Sequence, residues 1–170
     1  MRRRLILVRH AKSNWDEPSL EDIARPLNAR GARNAVTMGR WLKERGFLPD
    51  LMIVSPARRT QETAAGLAEG MGVSGETEVD EDLYLAPEDR ILSAVKRARG
   101  DTVLLIAHNP GISVFATHFA RAPHPHPDFR RYPTCATTVF ALGADDWRNA
   151  EFGHNEVLDF AVPREVEATE

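Results

Sequence analysis

A chain of 170 residues with 42% apolar and 28% charged side chains is long enough to bury a core in one domain without disulfide or metal staples, and too apolar to stay disordered. The formal charge is only −3 and the 22 Lys and Arg residues are scattered, which excludes the basic stripe of a nucleic-acid binder. Cys135 is the only cysteine, so no internal disulfide can form and a reducing compartment suits the chain.

Met1-Arg2-Arg3-Arg4 imitates the charged end of an export signal, but only Leu5 to Val8 follow before Arg9 and His10 interrupt the apolar run. Neither export signal nor membrane span is expected, and a cytoplasmic address follows. Leu5 to Val8 reads as a strand buried on both faces of a parallel sheet. Ala32, Ala35, Val36, Gly39 and Leu42 recur at helical spacing, with Gly46 as the stop. Leu51 to Val54 is a second buried strand, after which Ser55-Pro56 reads as N-cap and first helical position. A short strand is expected near Glu76 to Val79, and Pro87-Glu88-Asp89 opens a helix that Gly100 closes. Thr102 to Ala107 is the strongest strand, followed by His108 and by Asn109-Pro110 as cap and first turn of another helix. Residues 121–134 read as loop, Thr137 to Leu142 and Val157 to Val162 as late strands, and 163–170 as a flexible tail beyond a single domain at 1–162. This alternation predicts a three-layer α/β/α fold with a mostly parallel central sheet and at least one late strand antiparallel.

In such sheets ligands bind outside the carboxyl ends of the parallel strands. Three apolar strands end there in a cationic or histidine signal: Val8 in Arg9-His10, Val54 in Ser55 through Arg59, and Ala107 in His108-Asn109-Pro110. Two arginines and two imidazoles gathered at one crevice are costly unless an anion neutralises them, so the expected ligand is a dianion such as phosphate, with sulfate as a substitute. Phosphoryl transfer needs a nucleophile, charge stabilisation on the equatorial oxygens and a proton for the leaving group. A neutral His10 can attack phosphorus while Arg9, Arg59 and a protonated His108 hold the oxygens.

Leu7 through Trp15, with Arg9-His10-Ala11-Lys12-Ser13-Asn14-Trp15 at its centre, resembles the opening signature of the histidine phosphatase superfamily, the fold class of phosphoglycerate mutase. Ser55 through Ala64 and Ala107 through Gly111 resemble its second and third motifs. The resemblance implies His10 as nucleophile, Arg9, Arg59 and His108 as phosphate pocket, Ser13 and Asn14 as contributors, and no cofactor. The opening, the Arg25-Pro26-Leu27-Asn28 and Arg30-Gly31 segments and the short length are most similar to the SixA-like branch, which implies protein phosphohistidine as substrate. Ala11 stands where many members of the superfamily have glycine and Asp16 where the mutases tend to have asparagine, which disfavours mutase activity. The candidate proton donors are Glu81 and Asp82.

The alternatives are a small-molecule phosphomonoesterase using the same residues and a silent phosphate-binding module. Arg58 reads as a solvated helix charge and Cys135 as buried filler. His118, His124 and His126 are not expected to bind metal, because no carboxylate stands at a helpful spacing. Gly70 through Gly75 matches the dinucleotide glycine pattern but follows a helix, so it reads as a turn.

Overall fold

The apolar runs become neighbouring strands of one sheet in the computed structural model, which describes residues 2–73 and 75–169. Strands β1 (Arg4–Arg9), β2 (Leu51–Val54), β3 (Glu76–Val79) and β4 (Thr102–Ala107) run parallel. β5 (Thr137–Ala141) and β6 (Glu156–Ala161) complete the order β3-β2-β4-β1-β5-β6, and β5 is antiparallel to both β1 and β6. The mostly parallel α/β sheet and the antiparallel late strand are as expected.

Side chains alternate across the sheet because the strand repeat is two residues. Leu5 and Leu7 of β1 therefore join one core with Ile91 and Phe115, while Ile6 and Val8 join the other with Met38 and Leu67. The first core lies under helices α3 (Glu88–Lys96) and α4 (Gly111–Phe119), and the second under α1 (Ala29–Glu44) and α2 (Arg58–Met71). Burial of each such side chain contributes about 1.5–3 kcal/mol, which is why these short runs suffice to define strands.

Several boundaries differ from the sequence reading, each for a local reason. α1 starts at Ala29 because the Asn28 side chain accepts from Gly31 N at 2.8 Å. α2 starts at Arg58, so Ser55 and Pro56 precede the helix instead of opening it. α4 starts at Gly111, with Pro110 before it, and the Asn109 side chain donates to the carbonyls of Arg131 and Tyr132. Gly72 ends α2 in the left-handed conformation at φ 69°, which makes the glycine pattern a helix terminus and turn; its Ser74 lies outside the described residues. The expected tail is corrected: Pro163–Ala168 form helix α5, whose Glu165 and Glu167 bond His126 and Asn34, and whose Val166 packs on the second core.

Residues 121–134 lack strand or helix but are not a mere surface loop. Phe129 and Tyr132 are buried, and the Tyr132 hydroxyl donates to Leu7 O at 2.7 Å. Among the described residues, no helix is long and apolar enough to cross a membrane.

Candidate active site

Parallel pairing brings the three strand ends level. Arg9 of β1 is in register with Ala107 of β4, and Val54 of β2 with Ile106, so His108 emerges between His10 and Ser55. The two imidazole centroids lie 5.3 Å apart, and both rings line one open cleft of about 370 Å³ together with Arg9, Ser13 and Arg59. Residues almost a hundred positions apart in the chain thus share one site.

His10 is oriented by its own backbone neighbour. Its Nδ1 lies 2.7 Å from Ala11 O, and since a carbonyl can only accept, Nδ1 carries the proton and the Nε2 lone pair is free. The Ala11 amide is fixed by Thr63 Oγ1 at 2.9 Å, on α2. Burial lowers the His10 pKa to about 4, with Arg9, Arg59 and Arg25 adding to the shift and the Ala11 hydrogen bond opposing it. The ring is therefore neutral at pH 7, as a nucleophile requires.

His108 has the opposite tautomer. Arg59 Nη2 can only donate, so His108 Nδ1, at 3.4 Å, accepts, and Nε2–H donates to Ser55 Oγ at 2.7 Å. Burial, then the adjacent His10 and Arg59, lower its pKa to about 3, with Asp22 opposing. The protonated His108 of the sequence reading is thus not the state of the ligand-free protein; a bound dianion would have to supply the charge that stabilises the imidazolium.

Arg59 is 3% exposed and is held by Asp22, through its carbonyl at 2.7 Å and its carboxylate at 3.0 Å. Arg58, one residue earlier, points outward to Glu62 at 3.0 Å, as expected of a solvated charge. Arg9 donates to Tyr132 O at 3.2 Å, which gives the 121–134 segment a supporting role at the site. The Nε groups of Arg9 and Arg59 are buried and meet no acceptor among the described residues. An unmatched buried donor costs about 1–3 kcal/mol, a cost that an anion placed among these groups would remove.

The sequence-predicted residues divide clearly. Ser13 lines the cleft, where its hydroxyl accepts from Arg25 Nη1 at 2.7 Å. Asn14 does not line it, and its side chain caps the Asp16 amide at 2.6 Å. Neither candidate proton donor lines it either: Glu81 and Asp82 are the exposed residues of a 3₁₀ turn, Glu81–Leu83. The carboxylate that the fold delivers is Asp22, bonded by Arg59, Arg25 and the Tyr84 hydroxyl. Burial pushes this carboxyl up, but the hydrogen bonds from Tyr84, Arg59 and Arg25 outweigh it and hold it at about 2. Tyr84 also meets His108 edge-on, with centroids 5.5 Å apart.

Asp22, Tyr84 and the partnership of Ser55 with His108 carry no sequence signal, since each is a contact across tens of residues. Arg25 was visible only through the family resemblance. Cys135 is buried and its thiol is pushed up to about 12 by burial, which makes it unreactive. The expectation that His126 has no carboxylate partner is corrected: Asp128 and Glu165 converge on it. Asp128, however, is already shared by Arg131 at 2.6 Å and Arg164 at 2.8 Å, cations that compete with any metal.

Similarity to known proteins agrees with this geometry. The family model of the histidine phosphatase superfamily (branch 1) matches residues 5–84, a span that includes Arg9, His10 and Arg59. An uncharacterized protein of Mycobacterium tuberculosis is 30% identical over 165 residues, covering 92% of this chain and 100% of the relative. The structure of a putative phosphohistidine phosphatase SixA from Nakamurella multipartitia superposes with a TM-score of 0.81 at 27% identity, covering 96% of this chain and 97% of that one. A protein histidine phosphatase SixA complexed with tungstate shares the fold, with a TM-score of 0.74 at 19% identity and coverage of 96% and 99%. With its strand-end histidines converging on one arginine-lined cleft and more than nine-tenths of its length matched by such relatives, the chain belongs to the histidine phosphatase superfamily and is SixA-like.

Proposed function

We propose that this enzyme is a cytoplasmic protein phosphohistidine phosphatase that needs no metal and works through a phosphohistidine at His10. The observation that carries the proposal is the His10 tautomer, with Nδ1 spent on Ala11 O at 2.7 Å and Nε2 free beside Arg9, Arg59 and His108. The Nε2 lone pair forms the new bond to phosphorus as the bond to the leaving nitrogen breaks, and that nitrogen takes up a proton from solvent at the open cleft. Arg9 and Arg59 hold equatorial oxygens that gain charge in the transition state. The bound dianion favours protonation of His108 at Nδ1, which then donates to it while Nε2–H stays on Ser55. Water next attacks the phosphorus of phospho-His10, the N–P bond breaks, and inorganic phosphate and neutral His10 are released.

The preference for a phosphoramidate-type substrate is supported by the proton donors at hand. Asp22 is ionised and tied to three partners, and Glu81 and Asp82 stand away from the cleft. An alkoxide leaving group demands a strong acid in the transition state, whereas an imidazole demands less. Binding of tungstate by a SixA relative supports a tetrahedral oxyanion at this pocket.

The test is brief incubation with a labelled phosphoryl donor followed by acid treatment. The wild-type chain should acquire an acid-labile label, and His10→Ala should lose both the label and turnover by a factor on the order of 10⁴ or more. A label that survives the substitution rejects His10 as nucleophile. A strong kinetic preference for sugar or nucleotide phosphates over a phosphohistidine protein transfers the site to small-molecule ester hydrolysis.

A further inference from the structure

Trp15 lines the same cleft as the two histidines and yet is 73% exposed. One face of its indole is covered by the Arg25 guanidinium, 3.4 Å from the ring centroid. Arg25 is itself 7% exposed and pinned by Ser13 Oγ at 2.7 Å and Asp22 at 3.1 Å, so the stack has a fixed base. The outer face of the indole is left to solvent at the cleft mouth. Leu85 also lines the cleft; it is 52% exposed and has φ 50°, a left-handed conformation that is costly for a residue other than glycine. Two large apolar groups are thus held at the rim of a pocket that is otherwise cationic.

We infer that Trp15, with Leu85, forms the leaving-group subsite and selects a flat ring bonded directly to phosphorus, namely the imidazole of a phosphohistidine. This deepens the proposed function and rests on it. A ring attached at phosphorus stays close to the rim when the phosphoryl group is among the arginines, and it can stack on the free indole face. Electron density drawn toward Arg25 on one face leaves that indole suited to a second flat partner on the other. A sugar or glycerol in the same place has no flat π-face to match the indole, and phosphoramidate has no ring at all, so neither gains the stacking that an imidazole gains. Trp15 is accordingly a specificity-determining residue, distinct from the groups that bind the phosphoryl oxygens.

The experiment compares N-phosphoimidazole with phosphoramidate, which has the same P–N bond but no ring. Trp15→Ala should lower kcat/KM for the ring substrate about tenfold more than for phosphoramidate, a discrimination equal to about 1.4 kcal/mol. Trp15→Phe should restore most of it, and Leu85→Ala should shift the ratio in the same direction. Inhibition by orthovanadate, which carries no leaving group, should differ little between wild type and Trp15→Ala. Equal losses on both substrates, with wild type active on each, overturn the subsite and leave the phosphohistidine reading intact. Wild type inactive on both P–N compounds but active on phosphate esters overturns that reading and the subsite with it.

Discussion

Among the described residues Asp22 is the single carboxylate lining a cleft of arginines and imidazoles, and it occupies the place of a counter-ion to Arg59 and Arg25. Its side chain is 44% exposed, while that of Arg59 is 3% exposed. Removing the charge leaves a buried guanidinium without its counter-ion, but the Asp22 carbonyl still accepts from Arg59 and solvent on the carboxylate side limits the loss. Asp22→Asn should therefore destabilise the protein by about 1–2 kcal/mol. Inorganic phosphate, which replaces the missing charge, should raise the melting temperature of the variant more than that of wild type. Thermal melts with and without phosphate check this, and equal increments would separate Asp22 from the anion site. Ser55 acts through His108, by accepting Nε2–H and leaving Nδ1 toward Arg59. Ser55→Ala removes one hydrogen bond of about 1 kcal/mol and should reduce kcat/KM roughly five- to tenfold. The loss should include a shift of the pH profile, which a residue of purely structural importance would not produce.

At the scale of elements, the site depends on how closely α2 approaches α1, because α2 carries both Arg59 and the Thr63 that fixes Ala11. The approach is made by glycines. A Cβ on Gly70 would stand 2.1 Å from Val36 O, and one on Gly39 2.3 Å from Leu67 O. Backbone atoms cannot yield, so Gly70→Ala must push the helices apart, at a cost of about 1–3 kcal/mol. A lower urea midpoint together with reduced turnover is the expected outcome; reduced stability with full activity would show that the helix spacing does not set the Arg59 position. The loop from Lys12 to Asn28 is tied to α2 through Leu27 N donating to Glu62 at 2.8 Å, and its two ends are closed on each other by Asn28 N donating to Lys12 O at 3.0 Å. This is how residues of a polar, irregular segment come to hold Arg25 and Asp22 in place.

For the whole molecule, burying two imidazoles and gathering cations around them couples the site to stability. His10 and His108 have an ordinary pKa of 6.5 and are lowered in the fold to about 4 and about 3. Between those values the unfolded chain binds protons that the folded one refuses, so stability rises with pH across this window and is lost on acidification from about 6.5 downward. Melting temperature should fall between pH 7 and pH 4.5, and His108→Asn should flatten the slope. Bound phosphate should flatten it as well, since an anion raises both folded values. In kinetics, kcat/KM should keep its nucleophile down to about pH 4, where His10 becomes protonated in the free enzyme. An acid limb near 6.5 would mean that burial, together with the neighbouring arginines, does not depress His10.

The strands, the α/β class and the four groups Arg9, His10, Arg59 and His108 were legible in the sequence, because hydrophobic runs and the residues that end them are local facts. The parallel register that brings His10 and His108 together follows from the fold class, and the coordinates agree with it. The partners of those groups were decided only in three dimensions. Asp22 reaches Arg59 across 37 positions, Tyr84 reaches Asp22 across 62, and Ser55 reaches His108 across 53. Each also looks ordinary where it stands: a carboxylate in a polar loop, a tyrosine after an acidic turn, a serine before a helix. The docking of α5, expected as a tail, has the same origin, since six residues hold a helix only when another surface covers them. Short-range pattern specifies which residues end the strands; long-range packing specifies what those residues touch, and therefore which proton each imidazole holds.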